Sequence, residues 1–281
     1  MNGPYTRIDY MQSQRCHAPK IFTLFLEPRY RHSNSLLIMT SETVITFKVT
    51  PGKLVTDRQL DLCAHLFSEN YGIWGANGPH PKEHIKMSPA KLRSEDLSNP
   101  ERSALVTCST DGKLVGHAFA STWEYGSDVI AWISQLVVHK DYRRRRIGTF
   151  MIGQLTRYPL FENITVLGLV SCNPIACDVL AKSIHVGIGN IDTKFIADNA
   201  FAFLVSSHIP YLKGAKLHGS IFGKKDAAEG VVSTVDTNFA VDHTETDAVL
   251  KTYLSQGKWC LGRLPENHEF LIMLPITARC G

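Results

Sequence analysis

The stretch WISQLVVHKDYRRRRIGTFMIGQL, residues 132–155, decides the fold, because it reads without a break as strand, turn, arginine-rich loop and helix start. Residues 133–138 are an apolar run of strand length, and His139-Lys140-Asp141 makes the turn after it. Ile147, Phe150, Met151, Leu155 and Tyr158 then recur along one face of an amphipathic helix. The arginines therefore lie in a loop that runs into a helix N-terminus. There the first N–H groups lack an intrahelical partner and the helix dipole is positive, which suits a phosphate or pyrophosphate. Four consecutive arginines also fit a solvated basic patch, a nuclear-import signal or a nucleic-acid contact. Their place between a buried strand and an amphipathic helix favours the anion loop.

Working outward, residues 166–183, VLGLVSCNPIACDVLAKS, read as an apolar strand at 166–170 suited to the middle of a sheet, then a helix with Asn173 as cap and Pro174 at its first position. Upstream, residues 43–50 alternate as a strand ended by Pro51-Gly52, and Thr56-Asp57-Arg58-Gln59 is a capping box. The helix it opens has Leu60, Cys63, Ala64 and Phe67 on its apolar face and runs out at Tyr71-Gly72. A Gly/Pro-rich loop, IWGANGPHPKEH, follows, and Ser88-Pro89 begins another helix. Strands at 104–109 and 113–121 flank the hairpin signal Asp111-Gly112. Further on, Asp192 caps an aromatic helix carrying Phe195, Phe201 and Phe203. Residues 231–241 alternate as a strand, 244–256 form a helix ended by Gly257, and 270–274 form a last strand. Residues 1–40 lack sustained periodicity; an apolar patch at 21–26 predicts a loosely ordered lead or an added strand.

These segments resemble the GNAT superfamily of acyl-CoA-dependent N-acyltransferases over residues 43–185. That family's signature is Gln or Arg, two variable residues, Gly, one variable residue, then Gly or Ala, after a strand ending in Leu-x-Val. Leu136, Val137 and Val138 supply the strand end, Arg143 the first position and Gly148 the last, whereas Arg146 stands where Gly is usual. A residue at 146 other than Gly either keeps a negative φ or bears strain, but an extra guanidinium is itself a phosphate ligand. Asn173 and Ala176 match the family's Asn-x-x-Ala.

The resemblance implies an α/β GNAT fold, a mixed and mostly antiparallel central sheet flanked by helices, with an elaborated C-terminal part. It implies an accessory segment at 1–42 and one domain at 43–281, with core motifs at 43–185, an insertion at 186–228 and closing strands within 229–281. Acetyl-CoA, as co-substrate, would be held by Leu136, Val137 and Val138 along the pantetheine arm and by Asn173. Arg143, Arg144, Arg145, Arg146, Ile147, Gly148 and Thr149 would hold its pyrophosphate. Tyr71 and Trp74, in the loop that overhangs the acceptor end in this family, are the candidates for touching the acceptor.

Acid–base chemistry is less legible. Many family members place a Tyr four residues after the Ala to protonate the thiolate, and that position here is Leu180, leaving Ser171, Cys172, Cys177 or water. No acid occurs in residues 130–138, where some GNAT enzymes carry a Glu. Glu124 is the candidate base, with Asp128 and His117 as alternatives.

Composition bounds the rest. At 281 residues with 44% hydrophobic and 20% charged, the chain is globular, and a net charge of +4 is too small and too local for a nucleic-acid protein. Seven cysteines form no CxxC pair and no zinc spacing, no apolar run reaches eighteen residues, and the N-terminus lacks a secretory pattern. These features predict a cytoplasmic or nuclear protein, monomer or homodimer, with no metal, no membrane span and no nucleic-acid partner. The reading is an N-acetyltransferase acting on the primary amine of a small-molecule acceptor; a non-catalytic acyl-CoA-binding protein, a protein lysine acetyltransferase and a nucleic-acid binder are the alternatives. Within residues 71–87 Glu83 is the only acid against Lys82 and Lys86, which predicts a neutral, aromatic or acidic amine.

Overall fold

A computed structural model describes residues 35–39, 44–223 and 230–276. Among the described residues nine strands form one sheet in the order β1-β2-β3-β4-β5-β6-β9-β8-β7. They are β1 (Ser35–Met39), β2 (Val44–Pro51), β3 (Ser103–Thr110), β4 (Lys113–Tyr125), β5 (Asp128–Val138), β6 (Val166–Ser171), β7 (Lys216–His218), β8 (Thr234–Asp236) and β9 (His268–Pro275). The helices are α1 (Asp57–Asn70), α2 (Pro89–Glu95), α3 (Ile147–Leu155), α4 (Pro174–Ser183), α5 (Thr193–Ser206), α6 (Pro210–Lys213) and α7 (Thr244–Ser255). The sheet is mixed: β5 and β6 pair in parallel across the α3 crossover, and the other neighbours pair antiparallel.

Local chemistry accounts for the element ends. Asp111 and Gly112 both take positive φ, 49° and 78°, as a tight hairpin between β3 and β4 requires. Thr56 and Gln59 exchange the reciprocal bonds of a capping box at α1, Ser88 caps α2, and Asn173 and Asp192 accept from the first-turn amides of α4 and α5. One face of the sheet is covered by α1 and α2, whose Leu60, Cys63 and Leu92 cluster with Phe119 of β4. The other buries Ile147, Met151 and Leu155 of α3 with Cys177 and Ala181 of α4.

Two irregularities shape the middle of the sheet. β5 pairs with β6 only at Ile130↔Val166, Ala131↔Leu167 and Trp132↔Gly168, after which the strands part. At the same level Phe119 opposes Gln135 and Ala120 opposes Ile133, so Ser134 is the extra residue of a β-bulge that bends β5 away. The apex of this gap is closed by Trp132, whose indole occupies the place a side chain at Gly168 would take: a Cβ there would lie 2.4 Å from the ring.

Several expectations need correction. The helix predicted to carry Tyr158 ends at Leu155, since Pro159 disfavours helical backbone just before it. The alternating run 231–241 holds only three strand residues, because its pairing changes along its length. Val231 bridges to Gly262, β8 lies between β7 and β9, and Val241 bridges to Trp74. β7 was not anticipated, being three residues long. Within the expected accessory segment 1–42, Ser35–Met39 forms edge strand β1, and the apolar patch at 21–26 lies outside the described residues.

Candidate active site

The arginine loop enters α3 with its backbone turned into the left-handed region twice, at Arg144 (φ 62°) and Arg146 (φ 61°, ψ 11°), the second being the N-cap. Arg146 therefore bears the strain that Gly would avoid, of order 1–2 kcal/mol. Left-handed residues among right-handed or extended ones turn successive N–H groups to one side, the nest that binds anions. The first helical ladder bond is Phe150 N–H to Arg146 O, leaving the amides of Ile147, Gly148 and Thr149 at the open end of α3.

The remaining loop residues divide their work. Arg143 is a staple: its guanidinium donates to the carbonyls of Asn70 and, at 3.2 Å, Val138, tying the end of α1 to the end of β5. Arg145 lies over the Tyr142 ring at 5.1 Å. Gly148 has ordinary helical φ; its small size matters because a Cβ would meet Val179 of α4 at 3.2 Å. Leu136 lies beneath this helix start, with its side chain 3.8 Å from that same Cβ position.

Beyond Trp132, β5 has no ladder partner in β6, so Val137 and Val138 line one edge of the gap. Val137 is buried beneath α1. Asn173, at the far edge, spends its side-chain oxygen on the Ile175 amide at 2.9 Å.

On the α1 side of the sheet, the gap opens under an aromatic wall. Tyr71 stacks on Phe67 at 4.2 Å and meets Phe239, and Trp74 meets the same Phe239 edge-on at 5.4 Å. Three further groups that sequence reasoning missed lie near Tyr71. Asp96, the C-cap of α2, accepts from Ser134 Oγ on the bulge at 2.6 Å. Glu269 of β9 lies near Thr237 and the Cys172 amide just past β6, both of which favour its ionised form. Tyr211 of α6 accepts from the Trp132 indole at 3.1 Å. The Tyr71 hydroxyl feels Cys172, Glu269, Tyr211 and Asp96 together.

Burial sets the protonation of this cluster. Desolvation pushes the Asp96 carboxyl up to about 7 against the opposing Ser134 hydrogen bond, and the Glu269 carboxyl likewise to about 7. Burial also raises both phenols well above their usual value, so they stay protonated. The sequence signals for these groups are slight: a lone acid abutting the apolar strand of β9, and nothing at Asp96 or Tyr211.

The acid–base candidates read from sequence lie elsewhere. Glu124 is 62% exposed, ion-paired with Arg102 at 3.0 Å, and opposite Val129 at the closed end of the β5–β6 pair. Asp128 accepts from Thr165 Oγ at 2.8 Å. His117 is fully buried against Gln135 at 2.6 Å, and desolvation lowers it to about 4. Leu180 is wholly buried core. Burial drives the thiols of Cys172 and Cys177 far above their usual value, which removes the thiolate that a covalent relay requires. Among the described residues no group of three His, Cys, Asp or Glu could hold a metal ion, and no helix is long and apolar enough to cross a membrane.

Comparison with known proteins agrees with this geometry. Residues 63–184 match the model of the acetyltransferase (GNAT) family. No curated protein matches the chain. Among solved structures, an aminoglycoside acetyltransferase from an uncultured soil metagenomic sample is 15% identical, with 50% of this chain and 86% of that one covered and a TM-score of 0.37. The PaiA N-acetyltransferase of Thermoplasma acidophilum is 16% identical over 44% and 78%, with a TM-score of 0.33. The ribosomal-protein-S18-alanine N-acetyltransferase of Escherichia coli is 18% identical over 50% and 76%, also at 0.33. Residues 63–184 of this chain are a GNAT-family acetyltransferase domain, built on that family's α/β fold.

Proposed function

We propose that this chain is an enzyme that moves the acetyl group of acetyl-CoA, its co-substrate, to the primary amine of a small-molecule acceptor. The observation that carries the reading is the gap between β5 and β6, which begins at Trp132 and opens beside the strained N-terminus of α3. The pyrophosphate would rest on the amides of Ile147, Gly148 and Thr149 with Arg144 and Arg146 beside them, and the pantetheine arm would pair with the free edge of β5. The acceptor would approach from the opposite face, past Tyr71 and Trp74. The protonated phenols of Tyr71 and Tyr211 offer a source of the proton that Leu180 cannot supply. Among the described residues five free cysteines are buried or half-buried, which fits a reducing compartment, the cytoplasm or nucleus.

Leu180 also favours a second reading, a non-catalytic acyl-CoA-binding protein. One set of measurements separates them. Acetyl-CoA at millimolar concentration should raise the unfolding midpoint, as any ligand of the folded state does. Gly148→Asp, which brings a carboxylate to the helix start and crowds Val179, should abolish that rise. Thiol release in the presence of amines then marks an enzyme. An unchanged wild-type midpoint would sink the acetyl-CoA assignment, and a steep loss of DNA affinity with salt would support the nucleic-acid alternative.

A further inference from the structure

Helix α7 lies beyond the matched residues 63–184, and its first turn carries Glu245. The chain leading into it is fixed to the β5 side of the gap. The Gly75 amide donates to the Ala240 carbonyl and the Asp242 amide to the Ile73 carbonyl, both at 2.9 Å, so residues 240–242 are held by the loop after α1. The end of α1 is bound in turn to the residues that follow β5. There the Lys140 amide donates to the Asn70 side-chain oxygen at 3.0 Å, and the Arg143 guanidinium donates to the Asn70 carbonyl. Within this assembly Glu245 Oε2 lies 4.0 Å from Arg143 Nη1.

The far end of α7 is held on the β6 side. Tyr253 Oη donates at 2.6 Å to Asp178 Oδ2 of α4, the helix that follows β6. Asp178 is buried, at 4% exposure, and Lys182 supplies its counter-charge at 2.5 Å. Burial and the Asp178 carboxylate both raise the Tyr253 phenol above its usual value, so it stays the donor. Leu250 anchors the same half of the helix in the main core, and the Tyr253 ring packs 5.8 Å from that of Trp259. Tyr253 also feels the charge of Arg144. The helix therefore joins the two sides of the gap beside the arginine loop, with Glu245 toward Arg143 and Tyr253 toward Arg144, about 12 Å of helix apart.

The two attachments differ in strength. Tyr253 and Asp178 meet in a buried, charge-assisted hydrogen bond, whereas the Glu245 side chain is 92% exposed and its ion pair is screened by water and salt. The weak attachment is the one an anion would meet. Arg143 donates through Nε and Nη2 to the carbonyls of Val138 and Asn70, which leaves Nη1 for an anion, and Glu245 faces that nitrogen. A phosphate on the open amides of α3 would meet the Glu245 charge as like charge. We infer that α7 is an autoinhibitory strap across the mouth of the β5–β6 gap, with Glu245 holding Arg143 in place of a ligand phosphate and Tyr253 on Asp178 as its hinge. This inference rests on the acetyl-CoA reading above. Binding then requires the first turns of α7 to withdraw from the arginine loop while the Tyr253 end stays seated.

The test uses the whole chain and acetyl-CoA, with titration calorimetry for affinity, stopped-flow tryptophan fluorescence for rates and amide hydrogen exchange for the helix. Glu245→Gln should bind acetyl-CoA roughly two- to fivefold more tightly, the range of one exposed ion pair, and the gain should shrink at high salt. In an Arg143→Gln background the same substitution should bring no gain, because the two residues act as a pair. Tyr253→Phe keeps the ring against Trp259 but loses the hinge bond. It should raise the association rate roughly two- to tenfold, the range of one lost hydrogen bond. In the wild type, acetyl-CoA should speed amide exchange over residues 244–250 while slowing it at residues 147–149. This last arm stands if Arg143→Gln fails to fold. Unchanged or weaker affinity in Glu245→Gln, a gain that persists without Arg143, an unchanged association rate in Tyr253→Phe, or slower exchange over residues 244–250 would overturn the strap. Absence of both the unfolding-midpoint rise and the slowing at residues 147–149 would instead overturn the acetyl-CoA reading.

Discussion

Gly168→Ala tests the geometry at the apex of the β5–β6 gap. The new methyl carbon would lie 2.4 Å from Trp132 Cζ3 and 2.6 Å from Cε3, with the Ile272 carbonyl at 3.3 Å on its other side. Ordinary carbon–carbon contact is about 3.5–4.0 Å, so the indole must retreat by roughly 1 Å. It has little room, being wholly buried, with the Trp123 ring centred 6.2 Å away and its N–H bonded to Tyr211 at 3.1 Å. Overpacking of this kind costs about 1–3 kcal/mol, and losing the indole hydrogen bond adds about 0.5–1.5 kcal/mol. A total near 2–4 kcal/mol lowers the melting temperature of a chain of this size by roughly 5–15 °C. The control is Gly187→Ala, where φ is −77° and the new Cβ would have only ordinary contact, 3.5 Å to Asn190 Nδ2. Its melting temperature should hold or rise slightly, as a less flexible unfolded chain predicts. Thermal unfolding by circular dichroism reads both variants. A Gly168→Ala protein melting within about 1 °C of wild type would refute the packing argument, since it predicts several times that shift.

Two further outcomes follow from the same geometry. Arg146→Gly removes left-handed strain of about 1–2 kcal/mol at the cost of about 0.5–1 kcal/mol in chain entropy, so stability measured in urea should hold or rise while the acetyl-CoA midpoint shift shrinks with the lost guanidinium; a destabilised variant would contradict the strain. Stability against pH should fall between about pH 5 and 6.5, because the native state keeps protons on Asp96 and Glu269 (both raised to about 7) that the unfolded chain releases above its ordinary carboxylate range. His117, lowered to about 4, opposes this with one proton held by the unfolded chain below about 6.5. The net is near one proton, or about 1.4 kcal/mol per pH unit, and Asp96→Asn should flatten the slope in urea unfolding; a slope rising with pH would contradict it.

Much of the frame is written locally in the sequence. The strand, turn and helix of residues 132–155 follow from apolar spacing, and Thr56, Ser88, Asn173 and Asp192 each cap the helix their side-chain chemistry predicts, because caps and periodicity act over three or four residues. The left-handed Arg146 was legible as one branch of a choice, since a residue with a Cβ in a glycine position either avoids positive φ or bears it. Local alternation failed at residues 231–241, where it could not show that the segment changes partners from Gly262 to β9 to Trp74.

The chemistry at the gap was decided by tertiary structure alone. Glu124 and Asp128 look suitable by proximity in sequence, yet a strand end carries them to an exposed ion pair and a turn. Asp96 and Glu269, more than 170 positions apart in the chain, acquire shifted acidity only because the tertiary fold buries them, where water no longer stabilises their charge. Periodicity and capping are properties of neighbours along the chain; desolvation is a property of neighbours in space, and no single segment contains it.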